Sequence, residues 1–403
     1  MDLDRGNETG QRCAPWVAWR RPVSLLGLPF LLLLCAAGLA LLVAVGLMWS
    51  RWSRSLAFPG RAVSLLLVML FGAVLGITLL NRSFGFYSSL DDLLAISAQS
   101  YQPPPSFGVA RNQSRLVILT RNWRQQAGRQ SRAGRGLVLT VTFGGRRSGI
   151  TRSGLLYLPA AYSASPSNVA LSVVELFHGY PGQPRNFTDK LSIARVLDTE
   201  IAARRMPPVI AAIPTIYRGR ASECVDAVRG ERDETYLAVD VPADVEAAFR
   251  VLPGRAFAVA GFSEGGFCAV NLGLHHPDRF SAAASLSGYF TAGTDLGTGR
   301  LYRGSRGARQ RNSPLWWVSH RRPTGPALFL MASAGDRSSR REIVQLRAAA
   351  RRHARTLPIV ATLLPSGGHN YGTWGQALPA ALDFLGHHLP MPLAPPIRLP
   401  PMP

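Results

Sequence analysis

Val23 to Trp49 is a run of 27 residues without a charged side chain, and Ala62 to Leu80 is a second run of 19. A helix that crosses a bilayer needs about 20 predominantly apolar residues, so both runs read as transmembrane helices. Trp49, Trp52 and the stretch Phe84 to Tyr87 stand at their ends, where interface aromatics belong. A cleaved signal peptide is the competing reading of the first run. Its apolar core is too long for that, and a second run follows. The connector carries Arg51, Arg54 and Arg61 and no acid, whereas Asp91 and Asp92 follow the second run. By the positive-inside rule the second helix then runs from cytoplasm to exterior, with the rest of the chain outside the cell membrane. Arg20 and Arg21 beside the first helix oppose the matching outside position of the N-terminus.

A disordered chain is excluded, because 47% of the 403 residues are hydrophobic. Lys and Arg together number 45 against 23 acids, and Lys190 is the single lysine, giving a net charge of +22. Residues 1–99 carry +3 of this and residues 100–403 carry +19. Two readings stand: a coding bias toward Arg and Ala, or a basic surface facing anionic lipid headgroups or wall polymers. Nucleic acid is disfavoured as a partner, since no basic motif is interleaved with aromatics. Four cysteines without a C-x-x-C pair exclude a zinc ribbon and a disulfide-framework mini-protein. No repeat of solenoid or propeller period is present.

Tyr101 to Phe107 is a proline-rich spacer. From Gly136 onward, short apolar runs alternate with helical spacing. Strands are expected at Leu137–Phe143, Gly154–Leu158, Leu171–Phe177, Pro208–Ile213, Arg255–Gly261, Ser281–Leu286, Ala327–Ala332 and Ile359–Leu363. Helices are expected at Lys190–Arg205, Glu234–Arg250, Glu264–His275, Arg340–Ala354 and Trp374–His388, and an irregular insertion at Tyr289–Arg322. This alternation predicts an α/β fold: a mostly parallel sheet with helices on both faces. The organisation is then an N-terminal segment 1–22, helices at 23–49 and 62–80, a spacer 81–135, a catalytic domain 136–388 and a proline-rich tail 389–403.

Gly261-Phe-Ser263-Glu-Gly265 is a G-x-S-x-G pentapeptide, a weak signal by itself. Here a strand runs straight into it and a helix leaves straight after it. That is the turn that lifts a serine hydroxyl above a sheet edge. A serine hydroxyl needs a base to become a nucleophile. Of eight histidines, His369 alone sits in a glycine loop between the last strand and the last helix. His275, His276, His320, His353, His387 and His388 read as surface or capping residues, and His178 as a side chain that fixes a turn. Asp336, in the loop after strand Ala327–Ala332, is the first candidate to orient the imidazole, ahead of Glu342 and Asp295, with an N-cap for the next helix as its other reading. The order Ser263, Asp336, His369 is the one expected of such a sheet. Two backbone N–H groups must face the developing oxyanion. Glu264 and Tyr180 are the candidates, because Pro181 has no N–H.

His178-Gly-Tyr-Pro-Gly, Asn186-Phe187, Gly-Phe-Ser263-Glu-Gly-Gly, His276-Pro-Asp-Arg-Phe280, Gly-Gly-His369 and Trp374 resemble the esterase-D type α/β-hydrolases. Among these they are most similar to the membrane-anchored actinobacterial esterases, and more distantly to the mycobacterial mycolyltransferases. The resemblance covers about residues 136–388. It implies carboxylic-ester chemistry on an α/β-hydrolase fold, an ester or acyl-lipid substrate, and neither metal nor cofactor. The wider group often has Met after the nucleophile, where this chain has Glu264. A carboxylate there disfavours developing negative charge unless it points away or pairs with an Arg. Hydrolysis is the leading expectation. Acyl transfer to a carbohydrate or glycolipid hydroxyl and a non-catalytic binding role are the alternatives. Cys224 and Cys268 both belong near the rim of the site, as a disulfide if the domain is extracytoplasmic or else as buried thiols. Cys13 and Cys35 read as unpaired.

Overall fold

The computed structural model describes residues 27–51, 57–84, 116–164, 169–294 and 297–392. Helix α1 spans Leu28–Met48 and helix α2 spans Ala57–Phe84. Both are apolar and long enough to cross a bilayer. Their side chains are largely uncovered, with Leu33 71% and Met69 72% exposed. The two pack where Gly38 leaves room for Phe71, whose ring atom Cε1 would lie 2.7 Å from a Cβ there. The Arg61 guanidinium donates to the Trp49 carbonyl, 3.3 Å from Nη2.

The folded domain begins before residue 136. Strand β1 (Val117–Ile118) pairs with β2 (Leu137–Gly144), and helix α3 (Trp123–Arg132) lies between them in sequence. The stretch is rich in Arg and Gln, so its apolar periodicity is faint. Trp123 nevertheless packs edge-on against Phe249 at 6.3 Å. Next come β3 (Thr151–Leu158), β4 (Ser172–Phe177), α4 (Ile193–Ala202) and β5 (Val209–Pro214). Helix α5 (Val241–Ala248), β6 (Phe257–Phe262), α6 (Glu264–His275) and β7 (Phe280–Leu286) follow. Helix α7 (Pro314–Arg321), β8 (Ala327–Ser333), α8 (Arg337–His353), β9 (Ile359–Leu364) and α9 (Tyr371–His387) complete the domain.

The nine strands lie in the order β1-β2-β3-β5-β4-β6-β7-β8-β9. The pairs from β1 to β5 along that order are antiparallel, and those from β5 to β9 are parallel. Strands β4, β5, β6 and β8 are buried along their whole length. This explains why β5, β6 and β8 read as continuous apolar runs and not as alternating ones, while β4 also buries Glu175. One face of the sheet packs Val245 of α5, Ala269 and Leu272 of α6, and Ile343 and Leu346 of α8. The other packs Ile193 and Leu197 of α4 with Trp374, Leu378 and Leu382 of α9.

Three further elements differ from the sequence expectation. The helix expected at Glu234–Arg250 is interrupted by a π-helical turn, Tyr236–Asp240, before α5. Pro242 cannot donate to a carbonyl one turn back, and the Val241 N–H bonds to Tyr236 O, five residues earlier. The helix expected at Lys190–Arg205 is shortened to α4, because Ser192 takes a left-handed φ of 49°. The insertion expected to be irregular holds a short helix, Arg306–Arg311, whose spacing is masked by arginine, and α7, which starts at Pro314.

Candidate active site

Parallel strands present their C-terminal ends along one edge, and loops leaving that edge build sites in such folds. Ser263 sits between the end of β6 and the start of α6. Its backbone has φ 56° and ψ −122°, a conformation that costs an L-residue about 1–3 kcal/mol. Glycines make the turn fit. A Cβ on Gly265 would collide with the Phe177 and His178 carbonyls, and one on Gly261 would collide with Gly265 itself. The helix start is thereby pressed against the end of β4, and the Ser263 N–H donates to Leu286 O at 2.9 Å.

His369 reaches Ser263 from the β9–α9 loop. Its Nε2 lies 2.8 Å from Ser263 Oγ, and its Nδ1 lies 2.9 Å from Asp336 Oδ2. Gly367 in that loop has φ +105°, open to glycine but strained for any side chain. The Gly368 N–H donates to Thr373 Oγ1 at 3.0 Å. The His369 ring stands edge-on to Trp374 at 5.2 Å, and Trp374 stacks on Phe262 at 4.6 Å. Asp336 touches two neighbours, one with each oxygen. Its second oxygen, Oδ1, accepts the Ser339 N–H at 3.2 Å and caps α8. Burial alone would raise the Asp336 carboxyl. The hydrogen bond and positive charge of His369, with the Ser339 N–H, outweigh burial and hold it below the ordinary value.

The turn His178–Gly182 closes over the serine. A Cβ on Gly179 would lie 3.0 Å from Ser263 Cβ. His178 is fully buried and burial pushes its imidazole down to about 4, so the ring is neutral at pH 7. Its Nδ1 is 2.9 Å from Gly179 O, and its Nε2 accepts the Ile216 N–H at 3.3 Å. It fixes the turn. Tyr180 is exposed, and its ring meets Tyr217 edge-on at 5.1 Å. Tyr217, which the sequence did not single out, holds the turn by donating its hydroxyl to Gly182 O at 2.7 Å.

Glu264, the first residue of α6, has an N–H without an intrahelical acceptor. Its carboxyl points away from Ser263, into the loop after β5, where Oε1 accepts the N–H groups of Ser222 and Glu223 at 2.8 Å each. The other histidines lie elsewhere. His275 and His276 share Glu234 Oε1 at 3.0 Å each, while His320, His387 and His388 bond to carbonyls one turn back on exposed helix faces.

Cys224 and Cys268 are joined by a disulfide with a Cα–Cα separation of 5.4 Å, tying the loop after β5 to α6. Among the described residues Cys35 is free, and Cys13 lies outside them. The bridge closes a loop of sequence separation 44. By the chain-entropy relation this is worth roughly 4 kcal/mol. Paired Cys224→Ser and Cys268→Ser changes are expected to lower the unfolding free energy by that order in urea titrations. A loss below about 1 kcal/mol would show that the bridge does not constrain the unfolded chain as this relation requires.

A nine-stranded, mostly parallel sheet with a serine at the strand–helix turn defines the α/β-hydrolase class. Solved structures share the fold. A ferulic acid esterase superposes with TM-score 0.56 at 21% identity over 63% of this chain and 99% of its own. S-formylglutathione hydrolase from Agrobacterium tumefaciens gives 0.55 at 14%, over 63% and 96%. The fluorophosphonate-binding serine hydrolase F of Staphylococcus aureus gives 0.53 at 19%, over 62% and 98%. The chain belongs to the Esterase family, described as "Putative esterase", whose family model matches residues 147–385. An uncharacterized protein of Corynebacterium glutamicum is 27% identical over 248 residues, 58% of this chain. The match spans 57% of the length of that relative.

Proposed function

We propose that the chain is a serine carboxylic-ester hydrolase that works through an acyl-Ser263 intermediate. The observation that carries this reading is the continuous contact Ser263 Oγ–His369 Nε2, His369 Nδ1–Asp336 Oδ2. Ser263 Oγ attacks the ester carbonyl as His369 Nε2 takes its proton. Asp336 holds the imidazole and balances its positive charge. The N–H groups of Tyr180 and Glu264 receive the oxyanion. His369 then returns the proton to the departing alcohol, leaving the acyl group on Ser263. Water, deprotonated by His369, attacks the acyl carbonyl. Collapse of that second tetrahedral species frees the acid and restores the hydroxyl. The test is labelling by a serine-reactive phosphonate with peptide mapping, alongside turnover of an activated ester. Label on a residue other than Ser263, or none, would sink the reading. Product analysis with and without a carbohydrate acceptor separates hydrolysis from acyl transfer.

We further propose that α1 and α2 anchor the protein in the cell membrane, in contact with lipid, with the catalytic domain outside the cytoplasm. Helices apolar on every side have no soluble face to present, and the connector's arginines favour the cytoplasmic side. Protease treatment of intact cells is expected to release the domain. Protection of the domain from protease would reverse the orientation.

A further inference from the structure

We propose that the Glu264 carboxyl is a positioning residue for the reaction at Ser263, clamping the start of α6 and its donor N–H to the rim loop Ser222–Cys224. The inference rests on the reading of Ser263 as nucleophile.

Glu264 is only 3% exposed, and an unpaired carboxyl in such a place is costly. It stands next to the nucleophile, on a turn of the chain where any apolar side chain of similar size would bury without that cost. What it gains is specific. Oε1 accepts two successive backbone N–H groups, those of Ser222 and Glu223, which have no strand or helix to satisfy them. Oε2 is buried and has no hydrogen-bond partner among the described residues. Burial pushes the carboxyl up to about 8, so near neutral pH it is a neutral acid whose role is to accept, not to carry charge.

The loop so held is itself strained and tied. Glu223 and Cys224 take left-handed φ values of 47° and 51°, as Ser263 does at 56°. Non-glycine residues stay in that region only where the surroundings over-determine them. The Cys224–Cys268 bridge supplies one tie. Glu223 supplies another and reaches into the insertion after β7. Its Oε1 accepts the Tyr289 hydroxyl at 3.0 Å and the Gly293 N–H at 2.8 Å, and its Oε2 accepts the Tyr302 hydroxyl. Two buried carboxyls therefore link the insertion, the rim loop and the helix start in one chain of contacts. Displacing a donor by even about 1 Å can cost on the order of 10²-fold in rate. A clamp at this place acts on kcat and leaves substrate binding largely alone.

The test uses the whole 403-residue chain in detergent, an activated ester, and phosphonate labelling of Ser263. E264A is expected to lower kcat by on the order of 10²-fold with KM changed by less than about threefold. E264Q, which keeps an accepting oxygen, is expected to recover at least about tenfold of that loss. A merely structural role would move the melting temperature without this split and without the rescue. Should E264A fail to fold, Y302F cuts the far end of the same chain of contacts and is expected to lower kcat several-fold at unchanged KM. Label on the wild type with unaltered kcat in E264A, or in Y302F where E264A does not fold, overturns this inference alone. An E264Q no better than E264A also overturns it alone. Absence of label on the wild type overturns the Ser263 reading and this inference with it.

Discussion

Replacing Ser263 by alanine is expected to lower kcat for an activated ester by on the order of 10⁴-fold or more, with the protein still folded. The serine side chain is small and partly exposed, so its loss leaves no cavity in the core. Its backbone conformation is imposed by Gly261, Gly265 and the bond from its N–H to Leu286, none of which needs the hydroxyl. His369→Ala should cost a similar factor, since it removes the base that stands 2.8 Å from Oγ. The measurement is steady-state turnover with circular dichroism on the same samples. Near wild-type turnover in the folded Ser263→Ala protein would rule out the acyl-serine route.

Tyr180→Pro is expected to lower kcat by on the order of 10²–10³-fold, the usual effect of removing one oxyanion donor. Tyr180→Ala is expected to lose little. The contrast separates the N–H from the phenol. The ring of the exposed Tyr180 lies against Tyr217, whereas the turn beneath it is held by His178 and by the Tyr217 hydroxyl on Gly182. Alanine keeps the N–H and the turn. Proline removes the N–H. Parallel kcat measurements on the two variants decide the matter, and equal losses would assign the role to the side chain.

The sheet was legible because its central strands are buried on both faces and so appear as unbroken apolar runs. The helix α6 was legible at both ends because an apolar strand, two glycines and a histidine pair mark its limits. The contact of Ser263, His369 and Asp336 lay within reach of chain order alone, since loops leaving the same sheet edge must converge. What stayed hidden depends on arginine and on distance. Helix α3 and the first insertion helix, Arg306–Arg311, carry three arginines each, so their apolar stripe is submerged. The π-helical turn before Pro242 follows from one missing donor, visible only once the register is known. Glu223 looks like a loop carboxylate in sequence. Its partners, Tyr289 and Tyr302, lie 66 and 79 residues away.

The division of labour between the two oxygens of Asp336 sets the fate of its amide analogue. Oδ1 is committed to the Ser339 N–H at the head of α8. An asparagine has one oxygen, and the helix claims it. Its NH₂ would then face His369 Nδ1, donor against donor. The ring could relieve this only by moving its proton to Nε2, the nitrogen that must be bare to receive the serine proton. The capping helix thus works as a proofreader of protonation state: it lets a carboxylate serve both neighbours and forces an amide to fail one.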